Sequence, residues 1–176
     1  MYLQKIQKVF KVFAILSKVA MILSFVSGGL AIFFGIMSLA GSDEVVLKLG
    51  EVRFVLASAY DGLPMGNCAT LFAEGAAALF SGTILVFVMR YFNLEQKEGN
   101  PFTTNGADAL KKLGIITIVL SAVSVCVQSI IFTVFKLNPD MDISNGAEVC
   151  AGILMIIFSM IVRYGAQLRS EKTEIK

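Results

Sequence analysis

The sequence contains no histidine and no tryptophan, and only 16% of its residues are charged. Without histidine, a Ser-His or Cys-His catalytic pair and a histidine-ligated metal are excluded. The sequence also has no P-loop, no glycine-rich dinucleotide fingerprint and no HExxH motif. The 15 basic and 13 acidic residues nearly balance, which argues against a nucleic-acid-binding protein. We therefore expect no enzyme activity, no metal and no cofactor.

Apolar residues are what the sequence has in excess, since 56% of it is hydrophobic and its mean hydropathy is +0.78. Four stretches reach the length of about 20 residues that a spanning helix needs. They cover residues 19–40, 68–89, 113–135 and 147–163. Because lipid offers no water to the backbone polar groups, each stretch is predicted to be helical. The predicted fold is an all-α integral membrane protein with a four-helix transmembrane bundle.

The distribution of lysine and arginine predicts how the chain is oriented across the membrane. Twelve of them lie before the first span, between the second and third spans, or after the fourth, and only three lie in the other two connections. Cytoplasmic loops carry the excess of such residues. The sequence therefore predicts a multi-pass protein of the bacterial cytoplasmic membrane with both termini in the cytoplasm. A signal peptide ending at residues 38–40 is the alternative for the first span, whose apolar run is longer than the usual 7–15 residues.

The remaining segments complete the predicted organisation. Residues 1–18 are expected to form an amphipathic cytoplasmic or interfacial segment, although their lysines could serve only to set the topology. Residues 19–170 form the four-span membrane domain, and residues 171–176 form a cytoplasmic tail. Between the first two spans, residues 44–56 predict a small extracytoplasmic β-hairpin, with a plain loop, or a re-entrant or surface helix, as the alternative.

The connection between the second and third spans has a distinctive turn. Pro101 restricts Asn100 to extended backbone, and Phe102 is a large apolar group expected to bury under the bundle or insert at the interface. Asn105 is predicted to cap a helix that continues into the third span. We expect Pro101, Phe102 and Asn105 to form an ordered corner. The corner would present Lys111 and Lys112 to headgroups or to a partner.

A known family shares this arrangement of residues. The pattern consists of Arg90-Tyr91-Phe92, Gly99-x-Pro101-Phe102-Thr103, Asn105, Leu110 and Leu113-Gly114. It resembles the bacterial membrane family catalogued as domain of unknown function 2975, from the first span to about residue 169. The resemblance implies a small four-span protein with a polar inner loop. Because a helix-turn-helix regulator is encoded near many members, it also implies a regulatory or stress role by association. It assigns no catalytic or ligand residue.

Two carboxylates lie inside the spans, Glu74 in the second and Glu148 in the fourth. Each begins a stretch that ends in Arg-Tyr about 22–24 Å further along the helix, which places both near the outer surface. We expect solvated or cap-like carboxylates, with a cation or proton site, or a contact with the outer loop, as alternatives. The shared spacing is also compatible with a duplication that makes two parallel helical hairpins.

Three further polar residues are candidates for structural roles. Gln128, near the middle of the third span, is predicted to form an interhelical hydrogen bond, with a ligand contact as the alternative. Cys68 and Cys150 are both expected near the outer surface, where a disulfide between them would tie the second helix to the fourth. Free thiols are the default for both residues.

These features favour a non-enzymatic membrane protein that works through protein contacts. It would be a membrane sensor or regulator, or an accessory subunit of a membrane complex. The expected partners are the lipid bilayer and either a protein partner or a second copy of the chain, with no nucleic acid. The alternative is a transport or immunity protein that handles a small peptide or amphiphile in the bilayer.

Overall fold

The structure is a computed structural model that describes residues 2–39, 46–49, 52–55, 64–98, 103–137 and 146–174. The helices and strands are α1 (Tyr2–Leu39), β1 (Val46–Leu49), β2 (Val52–Val55), α2 (Pro64–Glu98), α3 (Thr104–Val134) and α4 (Gly146–Glu174). The two strands pair antiparallel, with Val46 opposite Val55. Each of the four helices contains a stretch long and apolar enough to cross a membrane, as expected of a multi-pass membrane protein. The prediction of four such helices is confirmed.

The helices extend well beyond the apolar stretches predicted from the sequence. Helix α2 begins with proline, which is favourable at a first helical position, and carries Lys97 in its last turn, where the helix dipole favours a cation. With 35 residues it is about 52 Å long, whereas the hydrocarbon layer is about 30 Å thick. The stretch of α2 that is apolar enough to cross a membrane is Cys68–Glu98, and the four charged side chains of residues 90–98 favour a position of that end at the headgroups, because charge is costly in hydrocarbon. Similarly, residues 2–18 are continuous with the first span in α1.

Small and hydroxyl-bearing residues fill the interior, while large apolar side chains face outward. The buried polar side chains include Ser17, Thr117, Ser121, Ser124 and Ser159. By contrast, large aliphatic side chains such as Leu23 and Val134 are more than half exposed. In a membrane no hydrophobic force drives helices together, so small residues that permit close backbone contact dominate helix interfaces. The distribution is therefore that of helices surrounded by lipid.

The chain divides into two compact units, and each contains one close crossing of two helices. The second unit comprises Leu23–Ser81 and Val123–Ile143. In it, α1 meets α2 at Gly28 and Gly75. A Cβ atom built on Gly75 would lie 2.7 Å from Ile32 Cγ1, and one on Gly28 would lie 3.0 Å from the Gly75 carbonyl oxygen. A side chain on either glycine would require the neighbouring atoms to shift.

The first unit comprises Met1–Ile22, Gly82–Ala122 and Ser144–Lys176, and its close crossing joins α3 to α4. A Cβ atom on Gly114 would lie 2.7 Å from the Gly152 carbonyl oxygen, and one on Gly152 would lie 2.9 Å from that of Gly114. Ile118 and Ile156, each four residues after a glycine, cover the glycine of the opposite helix. The α1–α2 crossing repeats this pattern of glycines covered by aliphatic side chains.

Candidate functional site

The first unit contains an ordered cluster of polar groups where α2 ends and α3 begins. The Thr103 side-chain oxygen accepts a hydrogen bond from the Gly106 amide at 2.9 Å, and the Thr103 carbonyl accepts one from the Ala107 amide at 3.0 Å. Thr103 is therefore the residue that caps α3. Its hydroxyl also donates to the Glu98 carboxylate, which links the cap to the last turn of α2.

The prediction that Asn105 caps this helix is wrong. The cap is the residue just before the first helical position, and its side chain must reach the amide three residues later. Thr103 occupies that place because α3 already begins at Thr104. Asn105 consequently lies inside the first turn and is exposed. The helix does run on into the third span without a break, as the sequence predicted.

Glu95 is the residue at this cluster that the sequence did not single out. Its side chain is only 1% exposed, and neither carboxylate oxygen has a hydrogen-bond partner among the described residues. The carboxylate is directed at the first turn of α3, where it leaves no room for a Cβ atom on Gly106. A buried carboxylate without a partner is costly unless it is neutral. We define the turn cluster as Tyr91, Glu95, Glu98, Thr103 and Gly106.

The environment of Glu95 changes its ionisation. Burial raises the pKa of the Glu95 carboxyl, the Tyr91 hydroxyl one turn earlier lowers this pKa, and the negative charge of Glu98 raises it again. The pKa of Tyr91 is raised as well, first by its own burial and then by the charge of Glu95.

Charged side chains continue from the turn cluster along α3 and α4. Asp108 and Arg163 approach each other to 3.9 Å, and both side chains are more than half exposed. Lys111 lines a small cleft of about 120 Å³ with Ser159 and Arg163. Lys112, its neighbour, faces α2 instead and lines a different groove. Both lysines are exposed, and together with Asp108 and Arg163 they form what we call the charged surface.

Glu148 and Glu74, the two carboxylates predicted from the spans, have different surroundings. Glu148 lies in the first turn of α4, where the helix dipole favours a negative charge. It accepts a hydrogen bond from the Ser121 hydroxyl at 2.8 Å, so it connects α4 to α3. Glu74 is exposed on α2.

The prediction for Gln128 is wrong, and the two cysteines follow the default expectation of free thiols. The Gln128 amide donates to the Ser124 hydroxyl at 3.1 Å, four residues earlier in the same helix, and not to another helix. Helical spacing brings these two side chains onto one face, which satisfies the amide locally. Cys68 is buried and Cys150 is exposed, and both are free thiols, so the disulfide between them is not formed. Pro101 and Phe102 lie outside the described residues.

The sequence carries one signal that could have pointed to Glu95. Phe87, Tyr91 and Glu95 follow one another at four-residue intervals, so all three occupy one face of α2. Among the residues that the structure describes, no group of three or more histidine, cysteine, aspartate or glutamate side chains is placed to hold a metal ion.

Comparisons with family models, curated proteins and solved structures find no match to this chain. The likeness to domain of unknown function 2975 therefore stays an expectation based on the motif.

Proposed function

We propose that this protein is a non-enzymatic membrane sensor or regulator, or an accessory subunit of a membrane complex, that acts through protein contacts. The burial of the Glu95 carboxylate is the observation that carries the proposal. Glu95 is a fully buried carboxylate without a hydrogen-bond partner among the described residues, packed on the first turn of α3. In this proposal the turn cluster is the responsive element, and the charged surface on α3 and α4 is the part that a partner contacts.

The reasoning starts from the two ionisation states of Glu95. Burial favours the neutral carboxyl, because the anion must lose its hydration there and the Tyr91 hydroxyl offsets only part of that cost. Glu98, already engaged by the Thr103 hydroxyl, adds repulsion when both groups are charged. A change in proton concentration therefore changes the stability of this turn.

The second step connects the turn to the charged surface. Asp108, Lys111 and Lys112 follow Gly106 within two turns of the same rigid helix. Any displacement of the start of α3 by Glu95 must therefore displace these charges too. Arg163 extends the surface onto α4 through its contact with Asp108. A buried ionisable group coupled to an exposed charged surface is the organisation of a switch that a partner can read.

The pH dependence of stability tests the first step. The folded chain binds the Glu95 proton more tightly than the unfolded chain does. The stabilisation that this proton provides is therefore fully present below the unfolded pKa of about 4.3, and it is lost as pH rises through the folded-state pKa. We expect the melting temperature in detergent to fall over that range for the wild type and for Glu74→Gln. Glu95→Gln should not show this fall. If Glu95→Gln follows the wild-type profile, the turn cluster is not responsive.

Crosslinking in native membranes tests the second step. A photocrosslinking amino acid in place of Lys111 should give protein adducts, and adding Glu95→Gln should change their yield. The control is the same amino acid in place of Val119, an exposed apolar residue of α3. If Lys111 gives no more protein adducts than Val119, the protein does not act through this surface.

We also propose the finer topology that the lysine and arginine distribution supports. Both termini would lie in the cytoplasm of a bacterial cell, and the β1–β2 pair would lie on the opposite side of the membrane. The α1–α2 and α3–α4 glycine crossings are compatible with two helical hairpins. A cytoplasm-specific fluorescent reporter fused after Lys176 should be bright. A dark fusion whose periplasm-specific counterpart is active would contradict the topology.

A further inference from the structure

A second feature of the first unit is a groove between α2 and α3, beside the turn cluster. The groove has a volume of about 320 Å³, at the low end for small-molecule sites. Its floor is apolar and is formed mainly by Phe87, Leu94, Leu113 and Ile116. Arg90 and Lys112 also line it, and none of the described acidic residues does. We call it the basic groove.

The two cations lie near the middle of the basic groove, with apolar residues on both sides of them. The contact of Glu95 with Gly106 marks the end where α2 turns into α3. Along α2, Phe87 lies about 12 Å from Glu95. Along α3, Ile116 lies about 15 Å from Gly106. Both are therefore on the side of the apolar span. Arg90, the first charged residue after Phe87 on α2, lies nearer the turn. Phe87 and Ile116 thus lie toward the middle of the two candidate spanning helices, and Arg90 lies toward the charged end of α2.

The two cations are available to a ligand. Arg90 and Lys112 are exposed, and neither forms an ion pair with a carboxylate of the described residues. The Arg90 guanidinium lies over the Phe87 ring, 5.8 Å from its centroid, which is within the range of a cation–π contact. A guanidinium can donate two parallel hydrogen bonds to a phosphate.

We infer that the basic groove binds one anionic phospholipid from the surrounding bilayer. The phosphate of the headgroup contacts Arg90 and Lys112, and part of one acyl chain lies along Phe87, Leu113 and Ile116. The match is one of charge and shape, because two cations without a carboxylate partner among the described residues lie within an otherwise apolar groove between two candidate spanning helices. Basic pockets between spanning helices bind anionic headgroups in this way.

Native mass spectrometry of the whole protein, released from nanodiscs, tests this inference. One set of nanodiscs contains phosphatidylcholine alone, and the other contains phosphatidylcholine with phosphatidylglycerol. We expect one retained phosphatidylglycerol per protein and no comparable retention of phosphatidylcholine. Inorganic phosphate added to the second set should not displace the lipid, because it has no acyl chain to occupy the floor of the groove.

Three variants separate the groove from general surface charge. Arg90→Gln combined with Lys112→Gln should lower the apparent affinity for phosphatidylglycerol by about tenfold or more, since both phosphate contacts are lost. Ala109→Phe keeps every charge but fills the groove that Ala109 also lines, and it should reduce retention as well. Lys111→Gln is the matched control, because it removes one positive charge from the residue next to Lys112 but outside the groove. Circular dichroism verifies that each variant is folded.

Three outcomes would overturn the inference. Equal loss of binding in Lys111→Gln would mean that only surface charge attracts the lipid. Unchanged binding in Ala109→Phe would mean that the lipid does not enter the groove. Displacement by inorganic phosphate, or equal retention of phosphatidylcholine, would mean that the site does not recognise an anionic phospholipid.

Discussion

Replacing Gly114 by alanine tests the closest helix contact in the first unit. The new Cβ atom would lie 2.7 Å from the Gly152 carbonyl oxygen and 2.8 Å from Ile156 Cγ1. Both distances are well below the optimum of about 3.5–4.0 Å for non-bonded carbon contacts. The isoleucine side chain can rotate, but the carbonyl belongs to the backbone of α4 and cannot. Helices α3 and α4 must therefore separate around this point.

Gly29→Ala supplies a control for the effect of alanine on the helix itself. Alanine is favoured over glycine in a helix interior by about 1 kcal/mol, and this gain occurs at both positions. At Gly29, however, no described atom beyond its own chain neighbours and the surrounding helix backbone lies within 4 Å of the new Cβ. Overpacking of a well-packed interior costs about 1–3 kcal/mol. We therefore expect Gly114→Ala to be less stable than Gly29→Ala by about 1–3 kcal/mol.

The measurement is the free energy of unfolding in mixed micelles titrated with sodium dodecyl sulfate and followed by far-ultraviolet circular dichroism. Gly152→Ala, whose Cβ would lie 2.9 Å from the Gly114 carbonyl oxygen, should behave like Gly114→Ala. Equal free energies for Gly114→Ala and Gly29→Ala would refute the reasoning, because the α3–α4 contact would then tolerate an added methyl group.

Three further predictions concern the turn and the cysteines. Thr103→Ala should lower the free energy of unfolding by about 0.5–2 kcal/mol, because the cap of α3 is lost. Asn105→Ala should leave the free energy of unfolding unchanged. A larger loss in Asn105→Ala than in Thr103→Ala would mean that Asn105 is the cap. In variants that keep one cysteine, a maleimide should label the exposed Cys150 faster than the buried Cys68, and equal rates would contradict the difference in burial. Phe102→Ala should lower the melting temperature in detergent, as the sequence predicts for a large apolar group beside the bilayer; an unchanged value would make that segment a simple linker.

The sequence located the four helices but not their ends. Spans were predicted to stop where charged residues appear, as at Arg90, because charge is costly in hydrocarbon. The helices continue past those points, since a backbone hydrogen-bond ladder does not depend on the medium outside. The predicted cap of α3 was wrong for a different reason. Asn105 and Thr103 are both good capping residues, and the geometry of the preceding turn selects between them.

The sequence alone determined that the chain is built of four membrane-compatible helices, because apolarity over about 20 residues is a local property of the chain. Only the tertiary structure decided which polar groups are enclosed. Glu74 and Glu95 are both glutamates of α2, yet Glu74 is exposed and Glu95 is 1% exposed. The difference arises because α3 returns against the face of α2 that carries Glu95, with Gly106 at the point of contact. Burial of a side chain is set by the neighbouring helix, and the spacing of residues within one helix does not specify which neighbour will cover it.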